Sequence, residues 1–456
     1  MHRAHLLTGL ILAGLIAGAL FGQFVLFDPA TPIAVDHWTR IAGDLVLIRP
    51  LTLLIVPLIF VSVISGVTSI GSPQRLGVVG GCTLLYYFGT MFLAVSLGTA
   101  LVSTVRPGDL PAELSSQLSA EASRSFAAPE QGLASKIERT RAQRQDHLGG
   151  AWLNILRQLV PRNVIDDMAN GRSLGVIAFA ILLGLALAAG GEGARPAIEL
   201  FSSLFTALMT LVLWVIWLCP LGVFFLVAWT VGRIGLAALV GPLSSYMLLV
   251  IAGLAVHGLV VLPAILWWLR RENPYRFMWQ MRKALLTAFG TDSSAATLPV
   301  TIESAQSEGG CSRRAAHFVL PLGATINMDG TALYEAVAVV FLFQLHGIEL
   351  GTGELLVVVV TATLAAVGAA GIPSAGLVTM VIVITAVNAS LAGRGIAALP
   401  VSAIGVIIGV DRILDMCRTV VNVWGDAVGA KLISPLVPDP AERIPAAGLS
   451  SAAESS

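Results

Sequence analysis

Five polar side chains recur along one stripe of the last apolar segment of this 456-residue chain. The segment reads Gly409-Val-Asp411-Arg412-Ile-Leu-Asp415-Met-Cys-Arg418-Thr419-Val-Val-Asn422-Val-Trp-Gly-Asp426. At about 100° per residue, Asp411, Asp415, Arg418, Asn422 and Asp426 fall within an arc of roughly 80°. A charge facing hydrocarbon costs at least about 2.5 kcal/mol, so the stripe must face a cavity or a bundle interior. An ion-pair network that only locks helices together is the bland alternative. One arginine against three aspartates leaves excess negative charge, which packing does not require and bound cations would balance.

A second polar cluster, Asn327-Met328-Asp329-Gly330-Thr331-Ala-Leu-Tyr334-Glu335, lies inside another apolar run. Asn and Asp beside Gly in mid-span predict local unwinding that exposes oxygen atoms, and oxygen ligands suit hard cations. Glu335 is a lone acid deep in the span. A carboxyl that crosses an apolar interior in its neutral form suits a proton carrier, although a permanently neutral, hydrogen-bonded acid would look the same.

The elements that position these groups are spans and interrupted spans. Hydrophobic residues make up 56% of the chain and charged residues 12%, against about 25% charged in soluble domains. The mean hydropathy is +0.85. Apolar runs of roughly 18 residues or more are long enough to cross a membrane as helices. They read at about 5–27, 43–70, 79–105, 173–190, 196–232, 238–270, 313–346 and 396–434. The first, from Leu6 to Phe27, is too long for the apolar core of a signal peptide and has no clear cleavage site, so it reads as an uncleaved span.

Two further apolar stretches, about 278–306 and 353–390, carry small residues and a proline where a straight span would carry Leu or Ile. The first contains Thr287-Ala-Phe-Gly-Thr-Asp-Ser-Ser-Ala-Ala-Thr-Leu-Pro-Val-Thr301, the second Val367-Gly-Ala-Ala-Gly-Ile-Pro-Ser-Ala-Gly376. Unpaired backbone at membrane depth is tolerated only where it lines a cavity or is buried in protein. A pair of broken segments points to a transporter's binding site. Two merely kinked helices are the alternative.

Basic residues Arg270, Arg271, Arg276, Arg282, Lys283, Arg313, Arg314, Arg75 and Arg195 sit in short connections. Placing them in the cytoplasm is consistent with cytoplasmic termini and eight crossings. Pro107 to Arg172 is then a long extracytoplasmic loop, and its charge run Lys136–Arg144 reads as a solvated surface. The 27 basic and 27 acidic residues cancel, which argues against nucleic acid as a partner. Cys82, Cys219, Cys311 and Cys417 show neither metal spacing nor a disulfide framework. A membrane enzyme finds no machinery here: there is no His-Glu-x-x-His, no Gly-x-Ser-x-Gly, and Ser374 has no obvious base. A passive channel has no use for the costly Arg-plus-Asp constellation, which suits a zwitterion.

Four motifs, in order, resemble the dicarboxylate/amino acid:cation symporter family, which includes excitatory amino-acid and archaeal aspartate transporters. They are Ser293-Ser294-Ala-Ala-Thr-Leu-Pro-Val-Thr, Asn327-Met-Asp-Gly-Thr331, Gly368-Ala-Ala-Gly-Ile-Pro373 and Asp415-Met-Cys-Arg-Thr-Val-Val-Asn422. Asp44 to Ile70 and Tyr86-Tyr87 are also similar, and the likeness covers nearly all the chain outside Pro107 to about Trp152.

The resemblance implies an all-α polytopic membrane protein with eight transmembrane helices and two re-entrant helical hairpins. It implies a homotrimer in the inner membrane, in contact with lipid, whose transport domain moves like an elevator against a static scaffold. Residues 1–72 and 173–235 would be scaffold, 73–106 and 236–436 transport domain, 107–172 the long loop with the start of helix 4, and 437–456 a disordered tail. Arg418 would clasp the side-chain carboxylate of an acidic amino acid and Asp415 its amino group. Asn422, Thr331 and Thr419 would hold the remaining polar edges, while Ser294 and Gly376 would contribute hairpin backbone. Co-transported sodium would sit at Gly323, Asn327, Asn422 and Asp426, at Tyr87, Thr90, Asn327 and Asp329, and at Thr325 with the second hairpin. Glu335 would carry a proton.

Three positions depart from the family pattern. Met91 replaces the usual Ser or Thr, leaving one sodium site a ligand short. Asp292 stands where archaeal relatives have Arg and excitatory relatives Ser, and together with Arg412 it suggests a compensating ion pair. Glu335 follows the excitatory transporters. Within the family, C4-dicarboxylate carriers need no acceptor for an amino group, so Asp415 argues against them, and neutral amino-acid exchangers lack the arginine.

Overall fold

A computed structural model describes residues 2–28, 31, 33–34, 36–70, 73–111, 113–116, 118, 160, 162–170, 173–235, 243–367, 375–392 and 394–439. The charge run at Lys136–Arg144, the Gly368–Pro373 motif and most of the expected tail lie outside these residues. Among the described residues the chain is helical and has no strand.

The first helices are α1 (His2–Phe21), α2 (Trp38–Gly43), α3 (Arg49–Ile70) and α4 (Pro73–Val105), and the short α5 covers Val164–Ala169. Next come α6 (Ser173–Ala189), α7 (Gly191–Ile216), α8 (Cys219–Ile234), α9 (Ser244–Val256) and α10 (Leu262–Arg270). The remainder are α11 (Pro274–Gln280), α12 (Arg282–Thr291), α13 (Ser294–Ser307), α14 (Arg313–Ile326), α15 (Asp329–Leu345), α16 (Thr352–Val367), α17 (Ala375–Ala392) and α18 (Gly405–Ile433). Among the described residues, six stretches are long and apolar enough to cross a membrane: Gly9–Leu26, Trp38–Ser69, Leu76–Val105, Gly191–Ile216, Ser244–Arg270 and Arg313–Leu345.

The expected single span at 196–232 is instead two helices, α7 and α8, parted at Trp217 and Leu218. Pro220 lies in the first turn of α8, where a missing N–H is harmless, but it cannot continue the ladder of α7. The last helix also begins later than expected, at Gly405 after a 3₁₀ turn over Val401–Ile404.

Hairpin one forms where the sequence breaks. Asp292 ends α12 in the left-handed region at φ 55°, and Ser293 caps α13 by accepting the Ala296 N–H at 3.1 Å. With 10 and 14 residues, the two helices reach only ~15 and ~21 Å, short of the ~30 Å hydrocarbon thickness. Neither helix crosses that thickness alone, and α12 and α13 pack on each other and on α18. The expected unwinding in the seventh span is present: Asn327 and Met328 leave helical geometry between α14 and α15. Every residue of the most apolar window of Arg313–Leu345 is buried, as expected of a helix at the centre of a bundle.

Helix α1 packs on α8, and α3 on α6 and α7. Around α15 gather α4, α16, α17 and α18, while α14 bridges α18 and α3. At the open end of hairpin one, Glu308 accepts Arg282 at 2.8 Å and Lys283 at 2.6 Å. Burial works against the charged form, yet Lys283 and Arg282 hold the Glu308 carboxyl below the usual range. Both cations are themselves buried, so they act here as structural partners of Glu308.

Candidate functional site

All five members of the α18 stripe are buried: Asp411, Asp415, Arg418, Asn422 and Asp426 are each at most 6% exposed. Arg418 is fully buried, and such a charge persists only when paired. Its Nη2 lies 2.5 Å from Asp415 Oδ1 and 3.1 Å from Asp411 Oδ1, and Nε donates to Asp415 Oδ1 at 3.1 Å. The guanidinium carbon sits 3.7 Å from the centre of the Tyr334 ring, a cation–π contact. Nη1 has no hydrogen-bond partner among the described residues and points toward Gly376, where an added Cβ would approach it at 3.5 Å. The site thus holds a buried cation whose Nη1 faces α17.

Asn422 ties this cation to the unwound segment. Its Oδ1 accepts the Gly330 N–H at 2.7 Å and the Thr331 N–H at 3.4 Å, and its Nδ2 donates to Thr331 Oγ1 at 3.1 Å. These backbone donors are the orphan N–H groups at the start of α15. Thr419 Oγ1 donates to the Asp415 carbonyl at 2.9 Å and reaches Asp292 Oδ1 at 3.5 Å. Ser294 is buried one residue past the hairpin tip.

One turn deeper, oxygen atoms converge. Asn327 Nδ2 donates to Asp426 Oδ1 at 3.0 Å, and Thr90 Oγ1 lies 3.4 Å from Asn327 Oδ1. Gly323 needs to be glycine here, because a Cβ would fall 2.4 Å from Asp426 Oδ1 and 2.7 Å from the Tyr87 hydroxyl. Tyr87 donates that hydroxyl to the Val319 carbonyl at 2.7 Å. Asp329 is fully buried, and its Oδ1 has no hydrogen-bond partner among the described residues. An unpaired buried carboxylate oxygen is expensive unless a cation joins it. Thr325 sits apart, donating to the Leu322 carbonyl at 2.9 Å. Met91 is wholly buried and offers this region no oxygen.

The suspected ion pair between the hairpin tip and α18 is present: Arg412 Nη1 lies 2.9 Å from Asp292 Oδ2. Arg412 also stacks 5.7 Å from the Trp229 ring, where Arg40 and Arg233 gather at 5.0 and 5.8 Å. Glu335 is fully buried and accepts a hydrogen bond from Thr379 on α17.

Four contributors escaped the sequence reading as site residues. Tyr334 was visible only as an aromatic one turn after Thr331. Asp411 lay in the stripe without a role, Thr379 was hidden in an apolar run, and His257 was one histidine inside a span. His257 Nε2 lies 3.3 Å from Asp329 Oδ2, in a π-helical turn over His257–Val261. The Gly258 carbonyl of that turn accepts Trp424 Nε1 at 3.0 Å. No signal along the sequence connects 257 to 329; only the packing of α9 against α15 does.

The arrangement can bind a group carrying opposite charges beside small hard cations. Residues 7–436 match the sodium:dicarboxylate symporter family. Neutral amino acid transporter B(0) of Oryctolagus cuniculus is 36% identical, over 94% of this chain and 80% of its own length. Excitatory amino acid transporter 3 of Homo sapiens is 36% identical, over 86% and 78%. An excitatory amino acid transporter of Caenorhabditis elegans is 35% identical, over 94% and 88%.

Proposed function

Because this chain belongs to the sodium:dicarboxylate symporter family, whose members are transporters and not enzymes, we propose that it carries acidic amino acids inward, driven by sodium and protons. The observation that carries the reading is Arg418: fully buried, paired with Asp415 and stacked on Tyr334. A planar guanidinium matches a carboxylate through two parallel N–H donors. Asp415 beside it is the acceptor for an α-ammonium, so the pair complements the charges of aspartate or glutamate. Thr331, Thr419, Asn422, Ser294 and Gly376 surround the same space.

Sodium is the second cargo, and the cluster of Gly323, Asn327, Asn422 and Asp426 supports one site for it. Tyr87, Thr90, Asn327 and Asp329 support another, one ligand short at Met91, and Thr325 would serve a third with the second hairpin. Glu335, hydrogen-bonded to Thr379, is the proton carrier of this proposal. The proposal extends to eight crossings, two re-entrant hairpins, a homotrimer in the inner membrane with cytoplasmic termini, and a transport domain that moves as an elevator.

Neutral amino-acid exchange is a second reading, favoured by the B(0) transporters among the relatives. C4-dicarboxylate transport is a third, and Asp415 speaks against it. Uptake of labelled aspartate into proteoliposomes, with sodium and proton gradients imposed separately and with succinate and alanine as competitors, separates the three. Aspartate should prevail over succinate by a wide margin, and equal inhibition by the two would move the assignment to dicarboxylates.

A further inference from the structure

The relatives divide into neutral and excitatory amino-acid transporters, and the geometry around Arg418 bears on that division. The guanidinium meets two carboxylates on α18. Asp415 takes Nε at 3.1 Å and Nη2 at 2.5 Å, and Asp411 lies 3.1 Å from the same Nη2. Arg418 is fully buried and Asp411 is 2% exposed. The next cation on the helix, Arg412, is committed to Asp292 at 2.9 Å.

An α-amino acid brings an ammonium, and Asp415 is the carboxylate that would turn toward it. Arg418 then loses its closest partner. An acidic substrate replaces that partner with its own side-chain carboxylate. A neutral substrate brings no such group, and a lone guanidinium in a dry site would bear a large desolvation cost. Asp411 prevents that state from arising, because its charge stays 3.1 Å from Nη2 whatever Asp415 does. We propose that Asp411 is a standing counter-ion for Arg418 that widens specificity, so that small neutral amino acids such as alanine and serine also bind at a site shaped for acidic ones. Asp411 is a positioning residue in this scheme, acting on substrate through Arg418. The inference rests on the reading of Arg418 and Asp415 as the substrate's charge partners.

The test compares two ligands on one protein, so a general loss of activity does not imitate the effect. Purified full-length protein is titrated with aspartate and with alanine at saturating sodium, and binding is followed by ligand-induced thermal stabilisation. Wild type should bind alanine within about 100-fold of aspartate. In Asp411→Asn the ratio of aspartate to alanine affinity should rise at least tenfold, while Asp411→Glu should keep it within about threefold. If Asp411→Asn does not fold, Asp411→Asn/Arg418→Cys removes both charges and should favour alanine. A ratio unmoved in Asp411→Asn or a wild type blind to alanine overturns the inference while leaving acidic transport intact, and alanine preference absent from the double variant overturns the reading of Arg418 on which the inference rests. A wild type that binds alanine and not aspartate overturns both.

Discussion

Replacing Arg418 with Cys removes the cation paired with Asp411 and Asp415 and uncovers the Tyr334 ring. A charge-assisted hydrogen bond contributes ~1.5–3 kcal/mol, so a bidentate clasp on a substrate carboxylate is worth ~3–6 kcal/mol. The structure favours the lower end. Arg418 must first release Asp415, held at 2.5 and 3.1 Å, so substrate binding exchanges partners instead of creating new ones. A loss of ~3 kcal/mol weakens aspartate at least about 100-fold. The same substitution takes this counter-charge from two buried carboxylates, which should reduce stability by ~3–5 kcal/mol and lower the unfolding temperature. Initial-rate uptake of labelled aspartate and serine into proteoliposomes reads the first effect, and thermal unfolding reads the second. Aspartate uptake should vanish while serine uptake persists. Aspartate affinity kept within a few-fold would refute the assignment of Arg418 as the carboxylate clasp.

Asp426→Asn takes a charge from the oxygen cluster around Gly323 and Asn327, so half-maximal uptake should need about tenfold more sodium, equivalent to ~1.4 kcal/mol of ion binding. An unchanged sodium dependence counts against that cation site. Glu335→Gln keeps the shape of the side chain beside Thr379 and removes its proton. Uptake should lose its stimulation by an inward proton gradient while exchange of internal for external substrate survives; wild-type uptake indifferent to that gradient at fixed sodium makes Glu335 a structural acid. Asp292→Asn leaves Arg412 beside Arg40 and Arg233 at the Trp229 ring without its carboxylate. The unfolding temperature should drop, as for a broken buried pair, and should recover in Asp292→Asn/Arg412→Met; a double variant no better than the single one means the pair contributes nothing.

Much of the molecule is set by residues read one segment at a time. Apolar runs fix where helices lie, because backbone polar groups in hydrocarbon must bond within the segment. The Asn-Met-Asp-Gly break and the small-residue centre of hairpin one follow from local conformational preference, as the left-handed Asp292 and the cap at Ser293 bear out. The stripe on α18 was legible because a helical period assigns residues to one face. That same period is silent about what the face meets. Only tertiary packing sets Tyr334 beneath Arg418, His257 against Asp329 across 72 residues, and Thr379 on Glu335. Packing also turned Arg282 and Lys283, read along the sequence as loop charges that set orientation, into buried partners of Glu308. It split the run at 196–232 at Trp217, where hydropathy remains high and only the helix ladder stops. Identity and spacing decide which groups can be charged, bonded or buried, whereas the meeting of distant helices decides which charge faces which. Asp411 belongs to that second class, a member of the stripe by sequence and a partner of Arg418 only once the helix is folded into its bundle.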